Sequence, residues 1–152
     1  MITIRARRID RGLAVVAEGH ANFAPKGKDI VCAGASALLY AYRARLMALP
    51  EVRALPLCSA EAGECRRGRG RFLYTDVTRD YFTVISYGLN REDEHAWQVI
   101  AEGLRLLAEA YPQNVRFLDG VRSGLAPAAS VEELFFEISC PETLHMKGGE
   151  CV

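Results

Sequence analysis

Gly19-His20-Ala21, and Cys32 at the head of an apolar run shortly after it, are the residues of this sequence whose types and spacing could do chemistry. A cysteine attacks as its thiolate, and a helix N-terminus favours that anion through unpaired N–H groups and the positive end of the helix dipole. Asp29 reads as the N-cap of a helix opening at Ile30, which puts Cys32 in the first turn. A strand over Leu13 to Glu18 carries His20 to the loop before that helix, so the imidazole can act as the base that a thiol nucleophile requires. Asp29 could orient His20 as a third member or serve only as the cap; its position suits both roles. Ser36 falls one turn beyond Cys32 on the same side. Its hydroxyl could bond the thiolate neighbourhood or a substrate backbone, or else its own helix carbonyl. The N–H groups around Cys32 are candidate oxyanion donors. Between histidine and cysteine, Asn22-Phe23-Ala24-Pro25-Lys26-Gly27-Lys28 is a polar stretch centred on one aromatic. That composition suits a loop that folds over a bound chain, with Asn22, Phe23, Pro25 and Gly27 as its substrate-facing candidates.

The elements that must hold these groups follow from periodicity. Ile2 to Arg7 alternates apolar and polar residues, and Asp10-Arg11-Gly12 supplies turn chemistry before Leu13 to Ala17, which predicts a hairpin. Val31, Ala35, Leu38, Leu39, Tyr42, Leu46 and Met47 recur at helical spacing until Pro50 ends the pattern. Two strands are expected at Arg71 to Asp76 and Tyr81 to Tyr87, linked by Val77-Thr78-Arg79-Asp80 as a hairpin. A second helix over Glu92 to Tyr111 places Trp97, Ile100, Ala101, Leu104, Leu107, Ala108 and Tyr111 on one stripe, where Trp97 is read as core packing. Val115 to Leu118 adds a short edge strand. The expected fold is α+β, a small antiparallel or mixed sheet with two main helices packed on it.

Composition bounds the partners. At 152 residues one packed domain is expected, and 19 basic residues against 19 acidic leave no net charge to steer the chain toward nucleic acid or an acidic membrane. No apolar run approaches the roughly twenty residues of a membrane span, and no targeting sequence opens the chain, so the expected location is cytoplasmic. Cys32, Cys58, Cys65, Cys140 and Cys151 form an odd set with no CxxC pair, which argues for reduced thiols. A zinc site from Cys58, Cys65, His145 and Cys151 matches no closed zinc spacing, so no metal is expected. Arg66-Arg67-Gly68-Arg69-Gly70-Arg71 could touch RNA, but in a neutral chain it reads better as a solvated turn. His95 and His145 have no neighbouring nucleophile.

Gly19-His20-Ala21, the following Asp29-Ile30-Val31-Cys32-Ala33, and Ser36-Ala37-Leu38 together resemble the signature of the ribosomal-processing cysteine protease family Prp. The resemblance runs from about residue 1 to residue 118 and includes the order of strands and helices. It implies a small α+β homodimer that needs no cofactor and removes a short N-terminal extension from ribosomal protein bL27, cutting after a pair of phenylalanines. By that resemblance His20 and Cys32 are the catalytic pair, and Asp29 and Ser36 are supporting polar residues. Residues 1–118 then form the protease domain and residues 119–152 a C-terminal extension packed on it.

The chain departs from the pattern at Gly34, where alanine is usual, in the long connection carrying Cys58 and Cys65, and in the extension. The last two bear on substrate identity. A prophage-type paralogue that processes a capsid or scaffold protein is the runner-up within the protease reading. From other classes stand a noncatalytic ribosome-associated binding module and a redox-responsive protein that uses Cys32. Within the extension, Val131 to Ile138 reads as an apolar element covering the core, and Phe135-Phe136 as a self-cleavage candidate. Residues 147–152 read as a frayed tail.

Overall fold

A computed structural model describes residues 1–9, 12–48, 53–54, 64–68, 71–78 and 80–122, without the side chains of 53–54, 64–68 and 72. The expectations for Pro50, the Asp10-Arg11 turn, the zinc set and everything beyond residue 122, including Phe135-Phe136, lie outside what is described.

The strands are β1 (Ile2–Ile9), β2 (Gly12–Glu18), β3 (Arg53–Ala54), β4 (Glu64–Gly68), β5 (Arg71–Val77), β6 (Tyr81–Tyr87) and β7 (Val115–Asp119). Helix α1 (Ile30–Met47) follows β2, and α2 (Arg91–Ala110) follows β6. They build one mixed sheet in the order β3-β4-β5-β6-β2-β1-β7 among the described residues. Only the β1–β7 pair is parallel there; the other pairings are antiparallel.

Period-2 alternation decides which sheet face is apolar. Ile2, Ile4 and Ala6 of β1, Leu13, Val15 and Ala17 of β2, and Phe82 and Val84 of β6 all enter the main core. Register aligns them, with Val15 opposite Val84 and Ile4 opposite Ala17. Against this face α1 turns Val31, Ala35, Leu39, Tyr42 and Leu46, and α2 turns Trp97, Ala101 and Leu104. Tyr42 and Trp97 meet edge to face with ring centroids 5.1 Å apart. Both helical stripes are those read from the sequence, and Trp97 is core. At Gly34 a methyl would sit 3.8 Å from Leu107, an ordinary contact, so an alanine fits there as well.

One sequence expectation is corrected. The cluster from Arg66 to Arg71 is not simply a solvated turn, because Arg66, Arg67 and Gly68 belong to β4, paired with Leu73, Phe72 and Arg71 of β5. The segment lacks an apolar alternation, so its strand state comes from the partner strand.

A buried carboxylate joins the layers. Asp93, fully buried at the third position of α2, accepts from Arg71 Nη1 at 2.9 Å and from Asn90 N at 3.2 Å. Asn90 Oδ1 returns the capping bond to Asp93 N at 2.9 Å, and Arg45 of α1 approaches to 3.4 Å. One side chain thus ties the start of α2 to β5 and to the last turn of α1.

Candidate active site

The site is built where β2 ends and α1 begins. Gly19 follows β2 with φ +79°, and a Cβ there would lie 2.8 Å from the Met1 carbonyl oxygen, so only glycine turns the chain sharply enough to present His20. Asp29 caps α1 as expected: Oδ1 accepts Cys32 N at 2.8 Å and Oδ2 accepts Phe23 N at 3.0 Å. Burial alone would push the Asp29 carboxyl up; backbone N–H groups of Cys32, Phe23, Ala24 and Val31 outweigh it and hold the group below its ordinary value.

The cap places the thiol in the first turn, half-buried, with Cys32 Sγ 3.9 Å from His20 Nδ1. The two groups read from the sequence as a pair are therefore neighbours in space. On the other side of the ring, His20 Nε2 meets Asp80 Oδ1 at 2.6 Å. The acid on the imidazole is Asp80, from the β5–β6 turn, while the carboxylate oxygens of Asp29 are taken up by the helix start and the loop. Nothing in the local sequence marks Asp80; the strand order that sets β6 beside β2 brings it there.

The same bonds correct the expectation about oxyanion donors. Cys32 N donates to Asp29 Oδ1, and Ala33 N donates to the Asp29 carbonyl at 3.0 Å. Both N–H groups are committed to the cap in this state.

Residues 21–28 form a tied loop. Asn114 Nδ2 donates to the Ala21 carbonyl at 2.8 Å, Asn22 takes the left-handed φ of 53°, and Lys28 N closes onto the Pro25 carbonyl at 2.9 Å. Phe23 stands half exposed with its ring edge-on to Tyr111, centroids 5.2 Å apart. A hollow of about 460 Å³ opens between loop and helix, with Asn22 and Gly27 on one wall and Cys32 and Ser36 on the other. Phe23 and Pro25 are not among its lining residues. A second, smaller hollow of about 70 Å³ lies on the sheet side of the thiol, where Cys32, His20 and Ser36 meet Leu39, Tyr40 and Phe82. Ser36 thus borders both.

His95 is exposed on α2 and takes no part in these hollows. Among the described residues no group of three or more His, Cys, Asp or Glu side chains could hold a metal ion, and no helix is long and apolar enough to cross a membrane.

A thiol in the first turn of a helix, an imidazole beside it and an open groove running past both define the working parts of a cysteine peptidase. The chain belongs to the family described as cysteine protease Prp, whose model matches residues 1–116, and it is a cysteine protease. It is similar to the essential ribosomal processing protease Prp from S. aureus in complex with a covalently linked product peptide. That likeness is 26% identical with a TM-score of 0.58, over 78% of this chain and 99% of that one. The same protease with a substrate peptide matches at 24% identity and TM-score 0.55, over 78% and 99% of the two chains. SMU.848 from Streptococcus mutans matches at 21% and 0.51, over 78% and 95%. These last two likenesses speak for the fold alone. No curated protein matches the chain.

Proposed function

We propose that this protein is a ribosomal-processing endopeptidase that removes a short N-terminal extension from ribosomal protein bL27, cutting after a Phe-Phe pair, with Cys32 as nucleophile and His20 as general acid and base. The approach of Cys32 Sγ to His20 Nδ1 at a helix N-terminus carries this reading. Support for the substrate comes from family membership over residues 1–116 and from the likeness to a ribosomal processing protease holding a covalently linked product peptide. In this reading residues 1–118 are the protease domain, residues 119–152 are an extension packed on it, and the enzyme is a cytoplasmic homodimer.

The chemistry runs in two halves. The Cys32 proton passes to His20 Nδ1, and Sγ attacks the scissile carbonyl carbon to give a tetrahedral oxyanion. As that intermediate collapses, the imidazolium protonates the leaving amine, and the N-terminal fragment remains as a thioester on Cys32. His20 then takes a proton from water, the hydroxide adds to the thioester, and the acid product leaves as the thiol is restored. No external cofactor enters this balance. In this reading the groove between Asn22, Gly27 and Ser36 is the path for the peptide backbone, and the Ser36 hydroxyl, on its wall, hydrogen-bonds to it.

The test is cleavage of a peptide spanning a bL27-type extension, followed by mass spectrometry, with the native protein, Cys32→Ala and His20→Ala. The expected result is one cut after the second Phe, abolished by Cys32→Ala and reduced by about 10² to 10⁴ by His20→Ala. Cleavage by Cys32→Ala, or none by the native enzyme, overturns the reading. Light scattering during size-exclusion chromatography checks the dimer.

A further inference from the structure

The geometry points to Asp80 as the positioning residue of the site: its carboxylate holds His20 in the orientation and tautomer that aim Nδ1 at Cys32, and it faces the positive charge that forms on the ring. This rests on the proposed cysteine–histidine chemistry and adds a member that none of the three family signature segments contains.

The contacts fall on opposite sides of one ring. Nε2 lies 2.6 Å from Asp80 Oδ1, and Nδ1 lies 3.9 Å from Cys32 Sγ. An ionised carboxylate only accepts hydrogen bonds, so Nε2 must carry the hydrogen. In the neutral ring Nδ1 is then the free acceptor, and it is the nitrogen that faces the thiol. When the Cys32 proton moves to Nδ1, the Nε2 hydrogen stays in place, and the charged ring lies against a carboxylate that keeps its own charge. The Nδ1 proton later goes to the leaving amine. Asp80 gains and loses no proton through the cycle.

The backbone is arranged to present this side chain. Thr78 N bonds the Tyr81 carbonyl at 2.8 Å and closes the β5–β6 turn, while Gly19 N, one residue before the histidine, donates to the Asp80 carbonyl at 3.0 Å. That second bond pins the turn to the end of β2. Asp80 and His20 side chains are 68% and 45% exposed, and an ion pair so open to water contributes little to stability. The pair's value is therefore in orienting the ring. The other nearby acid, Asp29, is occupied by backbone N–H groups.

The experiment compares native protein, Asp80→Asn and Asp80→Glu by the rate at which iodoacetamide alkylates Cys32, read on the Cys32-containing fragment by mass spectrometry. His20→Ala supplies the floor. Peptide kcat and KM and the thermal midpoint are measured alongside. Asp80→Asn keeps the turn's backbone bonds but removes the charge and frees the ring to take the other tautomer. Alkylation and kcat should each fall about tenfold or more, short of the ~10⁴-fold effect of a buried triad aspartate, with KM and the midpoint unchanged. Asp80→Glu should recover part of both. If Asp80→Asn melts early, Asp80→Ser replaces it. Alkylation and kcat within about twofold of native, or a loss matched by a lower midpoint and higher KM, overturns the inference. If the native protein leaves the Phe-Phe peptide intact, the substrate assignment fails instead, and alkylation alone decides the role of Asp80.

Discussion

Replacing Asp29 by alanine removes the acceptor that closes the start of α1 and the loop before it, and the structure sets the size of the effect. The strongest loss is the cap bond to Cys32 N at 2.8 Å. N-cap aspartate to alanine costs about 1 kcal/mol, within a span of roughly 0.5–2. Phe23 N, bonded at 3.0 Å, sits in an exposed stretch where water takes over the bond, so it adds only tenths of a kcal/mol. A total of about 1–2 kcal/mol corresponds to a fall in midpoint of about 2–8 °C for a domain of this size.

Asp29→Asn keeps one of the two acceptor oxygens, so it loses the charge at the helix start, about 0.3–1 kcal/mol, and one backbone bond, a further few tenths of a kcal/mol in this exposed stretch. The native carboxyl lies below its ordinary value of 3.8, so its stabilising contribution is complete above that pH and is lost as pH falls through the lower folded value. The gap between native and Asp29→Asn should be full at pH 7 and close in acid below about pH 4. Thermal unfolding of the three proteins at neutral and acid pH makes the measurement. An alanine variant as stable as native at pH 7, or a native-to-Asn gap that widens as pH falls, refutes the reasoning.

Gly19→Ala puts a Cβ at positive φ and 2.8 Å from the Met1 carbonyl oxygen, and should cost about 1–2 kcal/mol while displacing His20. Peptide turnover should therefore fall further than the lost folded fraction explains. Asp93→Ala leaves Arg71 facing an emptied buried site and breaks the capping box; urea unfolding should show a loss of about 3 kcal/mol. Trp97→Ala should cost about 3–5 kcal/mol in the same assay, with the KM of the folded enzyme unchanged, because the ring packs on Tyr42 in the core.

Local pattern carried the two helices, the β1–β2 and β5–β6 hairpins and the edge strand β7, since each has an apolar face of its own period. It did not carry β4, whose Glu64-Cys65-Arg66-Arg67-Gly68 has no such face and is a strand through its ladder to β5. Asp93 reads in sequence as one of several acids in the first turn of α2. Its burial against Arg71 arises only when β5 packs beneath that turn.

The same division runs through the site. A nucleophile at a helix start and its N-cap lie within one short stretch, and local capping rules suffice to read them; the same local reading made Phe23 and Pro25 substrate-facing, and neither lines the hollow. By itself the sequence thus determined the α+β class, the family resemblance and the candidates Cys32 and His20, whose closeness in space the structure supplied. Tertiary structure decided which acid faces the imidazole. Asp80 lies far along the chain from His20, and only the adjacency of β2 and β6 brings it to the ring. Asp29 is kept from that role because the N–H groups nearest to it, bonded along the chain, claim its oxygens first.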